Sequence, residues 1–309
     1  MLKYYIHAHQ NKELAFADTL SKEYEHVKDM HDADICFYDH DAIIGSDRFK
    51  HVQDIFPAKR LYFVYPHAGR PSILGDLYPT SELTAAQFVS AQGHVDIMRA
   101  FGYEKPLVVT GWHLSPINNF RPFVGNVPRI LFAPIHPRMS NVDKKLNASV
   151  HGILVRLAAK KEIILTVRYV RSLELSGIKP SQGVNYCEGS HDSSYSQILQ
   201  NDLVISHQTY AYMSVALGVP TLMMGEDVVP HNFRTVGHKD EMVYVRSWPR
   251  YKDMMAYPLD ILATSDPIGL IQDALASDDK ILDWKRRMIG EPFDENVVLN
   301  IVKSHLAKH

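Results

Sequence analysis

What the chain lacks removes most function classes. Two cysteines in 309 residues, Cys36 and Cys187, form no Cys-x-x-Cys pair. A disulfide scaffold is excluded, and both thiols read as buried groups of a reducing compartment. No stretch approaches the ~20 apolar residues of a membrane span, and Met1–His9 carries no apolar signal core. A soluble protein of the cytoplasm is expected. Net charge is nearly absent: 33 Lys and Arg against 35 Asp and Glu leave −2. That balance supplies no general attraction to nucleic acid, although a local basic face stays possible. The first strand runs into His7-Ala-His-Gln-Asn, where a dinucleotide fold would carry Gly-x-Gly-x-x-Gly. No Walker A loop and no His-Glu-x-x-His occur either. Neither a bound cofactor nor a metal is expected.

What is there is an ordinary globular composition with strong alternation. Hydrophobic residues reach 46 %, enough for large cores, and the length suits about two domains at ~150 residues each. Short β-branched or aromatic runs recur at Leu2–His7, Ile35–Tyr38, Leu61–Tyr65, Gln87–Ser90 and Leu107–Thr110. After a break at Ser115–Pro128, rich in Pro and Asn, they resume at Arg129–Ala133, Ile163–Val170, Val184–Cys187, Leu203–Ser206, Thr221–Met224 and Met242–Val245. Helical stretches separate them, and a helical tail runs from about Pro267 to Lys308. Strands alternating with helices predict parallel sheets covered on both faces. The expectation is an α/β chain of two Rossmann-like domains, residues 1–120 and 121–309, facing each other across a cleft.

Ligands of such sheets sit beyond the carboxyl ends of the strands. The segment Asn201–Met224 is therefore the most informative. A buried strand ends at Ser206, His207-Gln208-Thr209 opens a helix, and Gly218 ends it before Pro220. Backbone N–H groups at a helix start, with the Ser206 and Thr209 hydroxyls beside them, suit a diphosphate. The same residues would also make a plain helix cap. His67 follows an apolar run and precedes Ala68-Gly69-Arg70, so it should protrude at a strand end. Imidazole there can accept a proton near neutral pH, or simply hold a turn. His7 and His9 share one side of a strand without an evident third metal ligand. Asp39-His40-Asp41 reads as a solvated turn, although it has the Asp-x-Asp form of GT-A metal sites.

The segment resembles the donor-binding region of GT-B glycosyltransferases, and most of all teichoic-acid glycerophosphotransferases, which use CDP-glycerol. That likeness rests on Asp202, Ser206, Thr209, Leu217, Gly218 and Pro220. Three other stretches follow in the expected order: Tyr62–Gly69 with His67, Ala100–Trp112 with its Gly-aromatic end, and Ile130–Ile135. The likeness spans roughly residues 61–260 and rests on order more than on rare residues. It departs from the family at His207-Gln208-Thr209, and at Val167-Arg168-Tyr169, where a His-Pro is usual.

The resemblance implies a GT-B-like fold and transfer of a sugar or polyol-phosphate unit from a nucleotide-diphosphate donor. The donor would meet Ser206, His207, Gln208 and Thr209, with Arg138 or Arg168 neutralising phosphate. Glu188 and Ser193 of the following loop would approach base or ribose, and Glu226 and Asp227 the donor hydroxyls. His9, Arg70 and Trp112 would line the side that takes a hydroxyl acceptor, a glycan, a polymer or modified nucleic acid. Three alternatives share the build: a nucleotide-sugar 2-epimerase, a DNA-modifying glycosyltransferase and a non-catalytic nucleotide-sugar-binding protein. If His67 is the base, His67→Ala should leave donor binding intact and lower turnover about 10²–10⁴-fold, measured separately by calorimetry and by product formation.

Overall fold

A strand covered on both faces carries apolar residues at every position instead of every second one. Leu203–Ser206 is such a strand, buried along its whole length. The computed structural model describes residues 1–7, 14–39, 61–65, 84–100, 104–134, 141–190, 193–206, 208–224, 261–262, 264–276 and 279–308. They fall into two compact units that divide in sequence between Pro116 and Ile117, with Arg286–His309 returning to the first. Among the described residues no helix is long and apolar enough to cross a membrane.

In the first unit β1 (Lys3–His7), β2 (Glu25–His26), β3 (Ile35–Asp39), β4 (Leu61–Tyr65), β5 (Thr84–Val89) and β6 (Leu107–Val109) form one sheet. Its order is β2-β1-β3-β4-β5-β6 and every pairing is parallel. Parallel neighbours need crossovers, two of which are helices α1 (Leu14–Ser21) and α2 (Gln92–Ala100). Phe37, Phe63 and Phe88 of successive strands stack across the sheet, with centroids 5.2 and 5.7 Å apart. Each such pair adds about 0.5–1.5 kcal/mol beyond the area it buries. Phe16 of α1 joins them, 5.7 Å from Phe88. The helix Glu295–Leu306 adds Val298, Leu299 and Val302 to the same cluster. Its sequence position belongs to the second half, 121–309, but its apolar stripe completes the first unit's core.

The second unit carries β7 (Arg129–Phe132), β8 (Ile164–Tyr169), β9 (Asn185–Glu188), β10 (Leu203–Ser206) and β11 (Thr221–Met223). The sheet order is β11-β10-β7-β8-β9, again parallel. Helices α3 (Asn141–Ala159), α4 (Ser194–Leu199), α5 (Gln208–Ala216), α6 (Pro267–Leu275) and α7 (Asp279–Met288) follow in chain order. Because β8 lies on one side of β7 and β10 on the other, strand order reverses between β7 and β10. A crevice beyond their carboxyl ends follows from that reversal.

Two signature residues of the sequence turn out to serve this frame. Asp202 sits at the start of β10 and pins it to β7, accepting from Arg129 N–H at 2.8 Å and from its guanidinium at 2.9 Å. Partial burial alone would raise that carboxyl's pKa, but Arg129 outweighs it and holds the carboxyl below its ordinary value. Gly218 ends α5 with φ +75°, and a Cβ there would collide with the Asn119 carbonyl. The segment that follows Pro116 crosses this helix end. Asn118 N–H donates to Ala216 O at 2.8 Å and Arg121 N–H to Gly218 O at 3.1 Å. The Arg121 guanidinium donates to the carbonyls of Leu199 and Asn201, and the Lys285 ammonium to that of Asn118.

In the first unit, His94 of α2 is completely buried, and neither ring nitrogen completes a hydrogen bond. Burial pushes its pKa from 6.5 down to about 3, against a smaller opposing pull from the Met288 backbone. The folded state therefore holds a neutral ring that the unfolded chain protonates below its ordinary value. The stability that this ring contributes is complete above pH 6.5 and is lost as pH falls from there toward 3. Urea unfolding at pH 7.5, 6 and 5 should give a declining series for the wild type. His94→Leu should flatten that decline; an unchanged slope would mean that His94 titrates normally in the folded protein.

Candidate functional site

The crevice at the order reversal is lined first by Ser206, the last residue of β10. The residue is 2 % exposed, and its hydroxyl donates to Ala133 O, just past β7, at 3.1 Å. This bond ties the two strand ends together, so the Ser206 proton is already committed. Helix α5 opens two residues later with Gln208 and Thr209 in its first turn. The amide groups of a first turn have no partner within their own helix, which leaves them directed at the crevice.

Arg168, near the end of β8, brings a cation to this turn. Its guanidinium lies 4.7 Å from the ring centroid of Tyr210, in the same first turn of α5. Nε donates to Gln197 Oε1 at 2.9 Å, and Nη2 to Ser190 O at 3.0 Å and Ser194 Oγ at 3.2 Å. Among the described residues all of these partners are neutral. The Gln197 amide also donates from Nε2 to Glu188 O at 3.3 Å, and Tyr210 OH to Ser194 O at 3.3 Å. Ser193 Oγ accepts from Ser190 N–H at 3.0 Å, closing the loop between β9 and α4 on itself. Gly189 lies against the guanidinium, which a Cβ there would have to displace. Burial pushes the Tyr210 hydroxyl pKa well above its ordinary value and raises the Cys187 thiol, while Arg168 opposes both shifts.

The structure thus gathers Arg168, Glu188 and Ser193 in one place, beside the start of α5. Glu188 contributes its carbonyl to the network while the residue itself is exposed. Trp112, expected on the acceptor side, is 2 % exposed in the first unit, where Nε1 donates to Ser115 Oγ at 2.9 Å. Its ring is packing, with no open face for an acceptor. His9, His67, Arg70, Arg138, His207, Glu226 and Asp227 lie outside the described residues. Sequence reasoning picked out the 188–194 loop, which contains Ser190 and Ser194, but missed Gln197 and read Tyr210 as helix packing. The signal available was the spacing of Ser194 and Gln197, three residues apart, which puts them on one side of a short helix.

The S. aureus MnaA–UDP co-structure superposes with a TM-score of 0.54 at 9 % identity, covering 99 % of this chain and 97 % of that one. The fold is GT-B-like. At that identity the likeness is one of fold alone. UDP-GlcNAc 2-epimerase from Neisseria meningitidis bound to UDP-GlcNAc aligns over 99 % of this chain and all of its own, at 11 % identity and TM-score 0.48. The spinosyn rhamnosyltransferase SpnG aligns over 97 % of this chain and all of its own, at 9 % identity and TM-score 0.47. No family model and no curated protein matches the chain in sequence.

The tight seating of Arg168 has a measurable consequence. Gly189→Ala forces the guanidinium off at least one of its acceptors and should cost about 1–3 kcal/mol of unfolding free energy, the usual range for overpacking. Chemical denaturation would read this. A neutral Gly189→Ala would mean that the loop does not close on Arg168 in solution.

Proposed function

We propose that the protein is a GT-B-type transferase that takes a nucleotide-diphosphate-activated donor and passes a sugar or polyol-phosphate unit to a hydroxyl acceptor. The observation that carries this reading is the Arg168 guanidinium fixed beside the first turn of α5. A fork of N–H donors and a row of backbone amides both favour a diphosphate. In sugar transfer the acceptor oxygen bonds to the sugar carbon as the bond from that carbon to the diphosphate breaks. Negative charge then grows on the leaving nucleoside diphosphate. Donors that are already fixed stabilise that charge without reorganising, which lowers the barrier. His67 is the proposed base for the acceptor hydroxyl proton. The glycerophosphotransferase resemblance favours a CDP-linked polyol, and the UDP-bound relatives in fold favour a UDP-sugar.

Thermal shift with UDP, CDP, GDP and ADP, each against its nucleoside, separates these donors. A diphosphate at 100 times its Kd should add about 2.7 kcal/mol of apparent stability. The nucleoside alone should add less. No stabilisation by any diphosphate would end the reading. Epimer formation from UDP-GlcNAc without an acceptor would replace transfer by 2-epimerisation.

A further inference from the structure

Gln197 holds Arg168 in a way that a carboxylate would do more strongly, and the difference is one of charge. Its Oε1 faces the Arg168 Nε–H at 2.9 Å while its Nε2 faces the Glu188 carbonyl at 3.3 Å. These two partners, one a donor and one an acceptor, fix which end of the amide is oxygen. Ser190 O and Ser194 Oγ take the hydrogens of Nη2. The Nε–Nη2 edge is thereby filled, and among the described residues nothing takes the Nη1 edge, which is the one left for a ligand. The Tyr210 ring beneath and Gly189 against the guanidinium hold its plane. The network fixes the position of the cation and leaves its charge in place.

We propose that Gln197 is a positioning residue that sets the charge preference of this site: it anchors Arg168 through a neutral acceptor, so that the full guanidinium charge selects a diphosphate over a monophosphate or a nucleoside. The proposal rests on the reading of Arg168 as the donor-phosphate ligand. A carboxylate at 197 would still accept from Nε. It would also neutralise the guanidinium and face the Glu188 carbonyl with a second oxygen, losing one hydrogen bond while gaining an ion pair. Stability should therefore change little. Affinity for phosphate should change greatly, because the negative charge of the carboxylate offsets the attraction that the guanidinium exerts on a second anion.

The test compares uridine, UMP and UDP, and the matching cytidine series, by calorimetry on the full chain carrying Gln197→Glu, Gln197→Met or Arg168→Met. For Gln197→Glu, diphosphate affinity should fall about tenfold or more. Monophosphate affinity should fall less, and nucleoside affinity should hold. Its Tm should stay within a few degrees of wild type. The salt dependence of diphosphate binding should weaken with it. Gln197→Met, which frees the cation without neutralising it, should lose only a few-fold and keep the salt dependence. An equal loss across nucleoside, monophosphate and diphosphate would make Gln197 merely structural and overturn the proposal. So would Gln197→Glu binding diphosphate within twofold of wild type while Arg168→Met loses it, an outcome that leaves the donor-site reading standing. Diphosphate binding untouched in Arg168→Met, or absent in the wild type, would overturn both together.

Discussion

A guanidinium that is partly withdrawn from water needs partners for the surface it turns inward, and Arg168 finds them in three separate pieces of chain. Gln197 and Ser194 belong to α4, Ser190 to the loop before it, and Tyr210 to α5. Remove the guanidinium and these pieces lose their common partner: the loop would keep its internal serine bonds, and α4 its bonds to Glu188 O and Tyr210 and its apolar contact through Ile198. A hydrogen bond to a charged group contributes about 1.5–3 kcal/mol net, so a hub with several of them weighs heavily in a domain stable by 5–15 kcal/mol. The residue that orders the carboxyl edge of the second sheet is thus also the one whose charge is offered there.

The signature read from the sequence separates into two kinds of residue. Asp202 and Gly218 hold the frame: one locks the starts of β7 and β10, the other lets a neighbouring segment pass against the end of α5. Ser206 lies between these roles, at the crevice but bonded to Ala133. A motif of this kind therefore speaks to a fold more than to a reaction, because its residues here do mechanical work. The chemistry is left to residues the pattern does not specify. Arg168 stands where the resembling family usually has a His-Pro, and its partners come from the serine-rich loop.

Most strands were legible because buried parallel strands are apolar throughout; Leu61–Tyr65 and Leu203–Ser206 match their expected bounds. β2 was not, since Glu25–His26 is two exposed residues defined only by pairing with β1. β5 begins at Thr84, earlier than Gln87, because Thr-Ala-Ala carries little apolar signal of its own. Helix α2 starts at Gln92, three residues before the apolar stretch at Val95, with Gln92 Nε2 donating to Asp96 Oδ1 at 2.9 Å. At the candidate site, position after a strand drew attention to Arg168, Glu188 and Ser193, which the structure brings into one network. It could not reveal Gln197 or the ring of Tyr210, whose roles depend on how α4 and α5 lie against β8. No local pattern records that.

The Glu295–Leu306 helix supplies Val298, Leu299 and Val302 to a core whose other members all precede residue 90. During synthesis, β6 is finished long before that helix exists, and residues 110–294 must be made in between. At ~5–20 residues per second this interval lasts roughly ten to forty seconds. Throughout it the phenylalanine stack of β3, β4 and β5 has an uncovered flank. The nascent chain thus carries sticky aromatic surface for far longer than a domain that closes on its own sequence.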